Sequence, residues 1–239
     1  YKVDLRESLT PPSMVHPLGT DMLGRDILTR IVYGARISLT IGLVVVGIAL
    51  AFGVVLGTVA GYFGGVVDEA IMRIMDIMLS FPPILLAIAI ISAIGPGLYN
   101  LMVAVGIATI PVFARVARGS VLSVKENTYI DAARASGESS FQIMFQHILP
   151  NALAPIVVVA TLRISSSILT AASLSFLGLG IQPPTPDWGV MVSDGRGLLR
   201  MAPYVATFPG LAIMFAVIGF NLFGEGLNDA LNPRLKEKS

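Results

Sequence analysis

The chain alternates long apolar runs with short polar segments. Residues 37–67 contain no charged side chain, and neither do residues 77–114. Because a membrane-spanning helix needs about 20 mostly apolar residues, the first run predicts one span and the second is long enough for two. The cluster Gly95-Pro96-Gly97 would stop a helix, so the second run is expected to divide there.

Five transmembrane helices follow from this pattern. They are predicted at residues 38–62, 77–94, 99–113, 150–179 and 205–223. Composition agrees, since 54% of residues are hydrophobic and 13% are charged, whereas soluble domains carry about 25% charged residues. The predicted fold class is an all-α integral membrane protein embedded in a lipid bilayer.

Charge and rare residues exclude several functions. The chain has 16 Lys+Arg against 15 Asp+Glu and no basic block, so nucleic acid is not an expected partner. It has no Cys and only two His, which leaves no thiolate or histidine-rich metal site. It contains no phosphate-loop, zinc-protease or serine-hydrolase motif. We therefore expect no catalytic residues, no metal site and no enzymatic activity.

A polar, helix-forming segment at residues 129–151 interrupts the apolar pattern. Thr128 and Asp131 match the capping pattern that starts a helix at Tyr129, and Gly137 is suited to end it. A second capping pattern, Ser139 with Gln142, predicts another short helix. Its apolar positions share one helical stripe: Phe141, Met144, Phe145 and Ile148.

This segment resembles the EAA loop of ABC importer permeases. The resemblance lies in Tyr-Ile-Asp-Ala-Ala from Tyr129, in Gly137, and in His-Ile-Leu-Pro-Asn from His147. Asp131 stands where the family usually has Glu, and His147 where it often has Ile. The resemblance implies that the coupling loop, residues 115–151, docks on a cytoplasmic ATPase. The implied coupling residues are Tyr129, Asp131, Ala132, Ala133, Gly137, Phe141, Phe145, His147, Leu149 and Pro150.

Further stretches narrow the resemblance to the C-type permeases of dipeptide and oligopeptide importers. They are residues 16–39, 174–180, 183–189, 193–196 and 232–235, in the family's order along nearly the whole chain. The implied fold is a type I ABC importer permease core, with a sixth helix preceding it in the full-length subunit. The implied function is import of di- or oligopeptides by alternating access. Nickel complexes and glutathione are the alternatives within the family.

The resemblance also implies a layout across a bacterial or archaeal cytoplasmic membrane. Residues 1–36 would lie outside and include an interfacial elbow helix, on which Asp26 and Arg30 can pair at i and i+4. Residues 37–225 would form the transmembrane domain, with an outer loop at 180–203. The coupling loop and the tail at 226–239 would be cytoplasmic, and the weak bias of Lys and Arg agrees with this orientation.

The implied partners are a second, homologous permease subunit, two ATP-binding subunits and an extracytoplasmic substrate-binding protein. ATP and magnesium would be bound by the ATPases, so no cofactor is expected in this chain. The hypothesis from another class is an ion-coupled secondary transporter or channel, which internal inverted repeats would favour. We find no convincing repeat of that kind.

Arg163 is a charged residue in the middle of a predicted span, followed by Ser166. A charge there costs about 2.5–3.5 kcal/mol on insertion scales and is usually functional or paired. Arg163 and Ser166 are therefore candidates for the translocation pathway. The alternative is a structural hydrogen-bond network within or between subunits. For Asn221 and Glu225, near the inner end of the last span, we expect a structural role.

Overall fold

The computed structural model describes residues 3–231, and within this range the chain forms nine α-helices and no strand. Short 3-10 turns lie at Leu5–Glu7 and Arg196–Leu198, and a π-helical turn lies at Ile143–Ile148. The predicted tail beyond residue 231 and the motif at 232–235 lie outside the described residues. The helices are α1 Ile27–Phe63, α2 Gly65–Leu79, α3 Pro83–Ile94, α4 Leu98–Lys125, α5 Thr128–Ala135, α6 Ser140–Gln142, α7 Leu149–Phe176, α8 Trp188–Gly195 and α9 Tyr204–Leu231.

Four helical stretches are long and apolar enough to cross a membrane: Ile27–Phe63, Leu98–Lys125, Ser140–Phe176 and Tyr204–Leu231. The pair α2 and α3 makes a fifth if it counts as one span, although it bends by 89°. The all-α membrane fold class is thus confirmed. The predicted span at residues 77–94 is wrong as a single helix, because α2 ends at Leu79 and α3 begins at Pro83. Pro82 and Pro83 lack the N–H groups that would continue α2.

Helix α1 is longer than the predicted span and absorbs the predicted elbow. Asp26 caps it, with a carboxylate oxygen accepting from the backbone N–H of Thr29 at 2.7 Å. The predicted pair of Asp26 with Arg30 is wrong, because the guanidinium of Arg30 binds Asp21 instead. A capping carboxylate is directed at the helix end and is not available to a side chain one turn later.

Close packing of α1 against α4 forms the centre of the bundle. A Cβ atom at Gly57 would lie 2.2 Å from the carbonyl oxygen of Ala114, and one at Gly53 would lie 2.6 Å from the Cβ of Phe113. Small residues at such contacts allow two helix backbones to approach closely without a hydrophobic driving force. Helix α7 completes this core through Ile156.

Residues 3–26 and α8 pack together at one end of the bundle, and we call them the platform. The Trp188 indole N–H donates to the carbonyl of Ile31 at 3.0 Å, and the Tyr204 hydroxyl donates to the carbonyl of Leu9 at 2.6 Å. The side chain of Asp187 accepts from the Ser38 hydroxyl at 2.9 Å. The two segments predicted to face outward are therefore held together at the same end.

A buried charge cluster joins the platform to α1. Asp21, Arg25 and Arg30 are 3%, 8% and 4% exposed. The Arg25 Nε donates to Asp21 at 2.7 Å, Arg30 binds the same carboxylate, and a second Arg30 nitrogen lies 3.8 Å from Asp194. Burial raises the pKa of the Asp194 carboxyl, and the nearby Arg30 opposes that increase. These contacts attach the N-terminal segment to both α1 and α8.

Candidate coupling and translocation site

The first helix of the coupling loop, α5, follows α4 after only two residues. It begins at Thr128, so the Thr128 side chain lies inside the helix and does not cap it. The predicted Thr128 cap is therefore wrong. Asn127 occupies the cap position but its side-chain amide donates back to the carbonyl of Val124 at 2.8 Å. Asp131 forms an exposed ion pair with Arg134 at 3.0 Å.

The turn between α5 and α6 has the geometry that the sequence predicts. Gly137 has φ +81°, its N–H bonds the carbonyl of Arg134 at 3.0 Å, and the Glu138 N–H bonds that of Ala133 at 3.2 Å. This pair of bonds is a Schellman motif, which favours glycine at the left-handed position. Ser139 and Gln142 then form the predicted capping box, so the start of the second helix is confirmed.

The predicted apolar stripe divides into a buried and an exposed half. Met144 and Ile148 are buried, whereas Phe141 is 67% and Phe145 38% exposed. The two phenyl rings lie against each other with centroids 4.5 Å apart. The π-helical turn Ile143–Ile148 explains the division, because its wider turn departs from the 3.6-residue period on which the stripe was predicted.

Ala133 lies on the buried side of the coupling loop. It is 7% exposed and packs in one cluster with Tyr62 of α1 and Ile130, while its neighbour Ala132 is exposed. The Ala133 side chain therefore packs towards α1, whereas that of Ala132 faces solvent. The remaining members of this cluster are Val121, Ile143, Met144, Ile148 and Ala152.

Tyr62 is a residue of this region that the sequence reasoning missed. The Lys125 ammonium donates to its backbone carbonyl at 2.5 Å, and the cationic groups of Lys125 and Arg134 lie 5.7 and 6.0 Å from its ring centroid. Its position at the end of a charge-free run, where aromatic side chains mark a membrane boundary, was the available signal. Tyr62 fastens the coupling loop to α1.

The exposed surface of the coupling loop combines aromatic rings, small residues and charges. His147 and Leu149 are half-buried, and the His147 Nε2 lies 2.7 Å from a Glu138 carboxylate oxygen. This pair ties the turn to the helix that follows it. The exposed candidate residues are Tyr129, Asp131, Ala132, Gly137, Phe141, Phe145 and Pro150.

The two pathway candidates lie on one exposed face of α7. Arg163 and Ser166 line a cavity of about 440 Å³ towards α9 and a second of about 130 Å³ towards α3 and α4. The guanidinium of Arg163 makes no hydrogen bond or ion pair with any residue between 3 and 231. The Ser166 hydroxyl donates to the backbone carbonyl of Arg163 at 3.1 Å.

Asn221 takes part in a network that Arg163 does not join. The Ser165 hydroxyl of α7 donates to the Asn221 Oδ1 of α9 at 2.6 Å. This bond crosses between two spans, so a structural role of Asn221 is visible in the geometry. Within residues 3–231, no group of three or more His, Asp or Glu side chains could hold a metal ion.

Comparison with known proteins identifies the family to which this bundle and its loop belong. Residues 53–237 match the model of the binding-protein-dependent transport system inner membrane component. This match covers most of the 239-residue chain, and the chain belongs to that family. The resemblance stated from the EAA-like loop is thereby confirmed.

Curated relatives agree with this assignment. The chain is 53% identical to the dipeptide transport system permease protein DppC of Alkalihalophilus pseudofirmus over 228 residues, which are 95% of this chain and 75% of the relative. It is 52% identical to the glutathione transport system permease protein GsiD of Pectobacterium atrosepticum over 225 residues, 94% of this chain and 75% of the relative. These relatives agree with the C-type group of peptide permeases that the sequence predicts.

Solved structures show the same fold at low sequence identity. An inward-facing form of the MetNI methionine ABC transporter matches with a TM-score of 0.70 at 20% identity, covering 86% of this chain and 98% of that one. An amino acid ABC transporter matches with a TM-score of 0.65 at 13% identity, covering 85% and 94%. The fold is that of type I ABC importer permeases.

Proposed function

We propose that this chain is the permease subunit of an ATP-driven importer that carries di- or oligopeptides across a bacterial or archaeal cytoplasmic membrane. It would pair with a second permease, dock on one of two ATPases that bind ATP and magnesium, and receive substrate from an extracytoplasmic binding protein. The relatives that transport dipeptides and glutathione support the substrate class. Alternating access by rigid-body movement of the spans would carry the substrate through.

One observation carries the proposal: the coupling loop presents an exposed aromatic pair on a firmly packed base. Phe141 and Phe145 contact each other and face solvent, while Met144 and Ile148 of the same turn are buried. Aromatic side chains held this way are typical anchors of a protein interface. An ATPase that received this pair would be coupled through Tyr62 to the first transmembrane helix.

Substitution of the aromatic pair tests the docking role. Phe141→Ala combined with Phe145→Ala should remove an interface anchor, weaken ATPase binding at least about tenfold and abolish ATP-dependent uptake, while unfolding of the isolated subunit changes little. The measurements are co-purification with the ATPase and uptake into proteoliposomes. Tyr99→Ala is the matched control, because Tyr99 is 79% exposed at the opposite end of α4.

The energy source separates this proposal from an ion-coupled transporter. The complete importer should take up peptide only when ATP is inside with the ATPases, and an ion gradient alone should drive nothing. Uptake by this chain under an ion gradient without ATP would contradict the proposal. ATPase binding that survives loss of both phenyl rings would reject the assigned docking surface.

A further inference from the structure

Arg163 offers hydrogen-bond donors to a cavity that contains no counter-charge. It is on the exposed face of α7, well inside the span, and its guanidinium has no partner among the residues that the structure describes. A guanidinium carries five N–H donors and stays protonated at any physiological pH. An unpaired charge at this depth must meet water, a ligand or a polar group of a neighbouring subunit, since lipid would penalise it.

Apart from Arg163, the polar side chains that line the cavity towards α9 are already hydrogen-bonded. The Ser165 hydroxyl lies 2.7 Å from the carbonyl oxygen of Leu162 and 2.6 Å from the side-chain amide of Asn221, and the Ser166 hydroxyl donates to the backbone carbonyl of Arg163. Within residues 3–231, the unused donors are therefore the N–H groups of Arg163. The other lining residues are Val159, Leu162, Leu169 and Val217.

No acidic side chain lines this cavity or the smaller one beside it. Glu225 follows Asn221 by one turn on α9, but it makes no ion pair with Arg163 and does not line either cavity. A positively charged set of donors with an apolar surround favours a ligand group that is anionic and only accepts hydrogen bonds. It would repel an ammonium group.

We infer that Arg163 forms an intramembrane binding site for a substrate carboxylate. The inference rests on the proposed function, because it assigns the carboxylate to a peptide in transit. A peptide with a free C-terminus carries that group, whereas its N-terminal ammonium would be disfavoured at the same place. The cavity of about 440 Å³ lies in the size range of small-molecule sites.

The test compares a dipeptide with its C-terminal amide in proteoliposomes that hold the complete importer. The binding protein is identical in every arm, so a change in the acid-to-amide uptake ratio between variants belongs to this chain. Arg163→Gln should lower uptake of the free acid at least about tenfold and that of the amide less than about twofold. Arg163→Lys should keep a preference for the acid.

Two further variants sharpen the test. Asn221→Asp introduces a carboxylate into the cavity and should lower the acid-to-amide ratio in the same direction as Arg163→Gln. Arg200→Gln removes an exposed arginine outside the spans and should leave the ratio unchanged.

Each remaining outcome counts against the inference. Equal loss of both substrates in Arg163→Gln would assign Arg163 to subunit assembly or folding, and unchanged uptake of both would remove it from the pathway. If the wild-type importer takes up neither peptide with ATP, the proposed function fails and the inference fails with it. If the wild-type importer transports both the dipeptide and its amide, but Arg163→Gln leaves the acid-to-amide uptake ratio unchanged, the inference is wrong and the proposed function stands.

Discussion

One cluster of charged side chains at the platform is buried and paired, whereas the coupling loop at the opposite end presents charges and aromatic rings to solvent. Asp21 binds both Arg25 and Arg30 in the interior. Asp131 pairs with Arg134 on the surface, and Phe141 is 67% exposed. The difference shows that the buried carboxylate of the platform is paired within this chain, while the coupling loop leaves charges and aromatic rings exposed. This exposure supports the proposal that an ATPase docks on the coupling loop.

Removal of Asp21 should have the largest effect on stability. Its carboxylate accepts from two backbone N–H groups and two arginines, so Asp21→Ala leaves Arg25 and Arg30 buried without their partner. We expect a loss of about 3–5 kcal/mol in the free energy of unfolding. Asp131→Ala, which breaks an exposed pair, should cost at most about 1 kcal/mol. Denaturant unfolding of the purified subunit measures both, and equal losses would contradict the contrast between the two ends.

A tryptophan scan across two neighbouring alanines should show that the coupling loop has one buried side. Ala133→Trp overfills the cluster around Tyr62 and should destabilise the protein by about 1–3 kcal/mol. Ala132→Trp adds the same ring to the exposed side and should change stability by no more than about 0.5 kcal/mol while blocking ATPase binding. Thermal unfolding and co-purification separate the two effects. Loss of ATPase binding without loss of stability in Ala133→Trp would contradict the packing.

The smallest effect concerns pH and the N-terminal end of the platform. The hydrogen bond to Asp26 raises the pKa of His16 above its ordinary value of 6.5, burial opposes this, and Glu7 adds to the increase. Protonated His16 thus contributes stability that is fully present below pH 6.5 and is lost as pH rises through the raised pKa. His16→Gln should flatten this part of the stability profile, measured as the unfolding midpoint between about pH 5 and 8.

Glu7→Gln serves as the control for that measurement, because it removes one of the two carboxylates and keeps Asp26. It should weaken the pH dependence less than His16→Gln does. Partial burial acts to raise the pKa of Asp26, but hydrogen bonds from Thr29 and His16 outweigh it and hold this pKa below 3.8. Its contribution is lost only as pH falls through that lowered pKa, so it leaves the His16 window unaffected. If the unfolding midpoint of His16→Gln changes with pH as steeply as that of the wild type, His16 does not cause the pH dependence of stability.

Features set by a few adjacent residues could be predicted from the sequence. The Gly137 turn and the Ser139 capping box depend on backbone preferences within one or two turns, and both are present. The run of charge-free residues indicated the spans, because bilayer thickness sets their length. The bend at Pro82 was not predicted, because the run was divided only at Gly95-Pro96-Gly97 and Pro82-Pro83 was left inside a predicted span.

Features decided by competition between distant groups could not be predicted. Arg30 has an acid four residues before it, yet Asp21 and Asp194 hold it through the folding of two separate segments. The burial of Ala133 likewise depends on Tyr62, far away in the chain. For the pathway, the sequence indicated that Arg163 was unusual, but only the structure shows which cavities it lines and that Asn221 shares one of them.

Helix α1 gives the two ends a common mechanical element. Its 37 uninterrupted residues extend about 55 Å, well beyond the roughly 30 Å hydrocarbon core. Near its start, Trp188 bonds to it, and near its end, Tyr62 receives Lys125. If α1 moves as one rigid body, a tilt imposed at Tyr62 would displace the contacts at Ile31. Movements of the platform and of the coupling loop would then be coupled directly through this one helix.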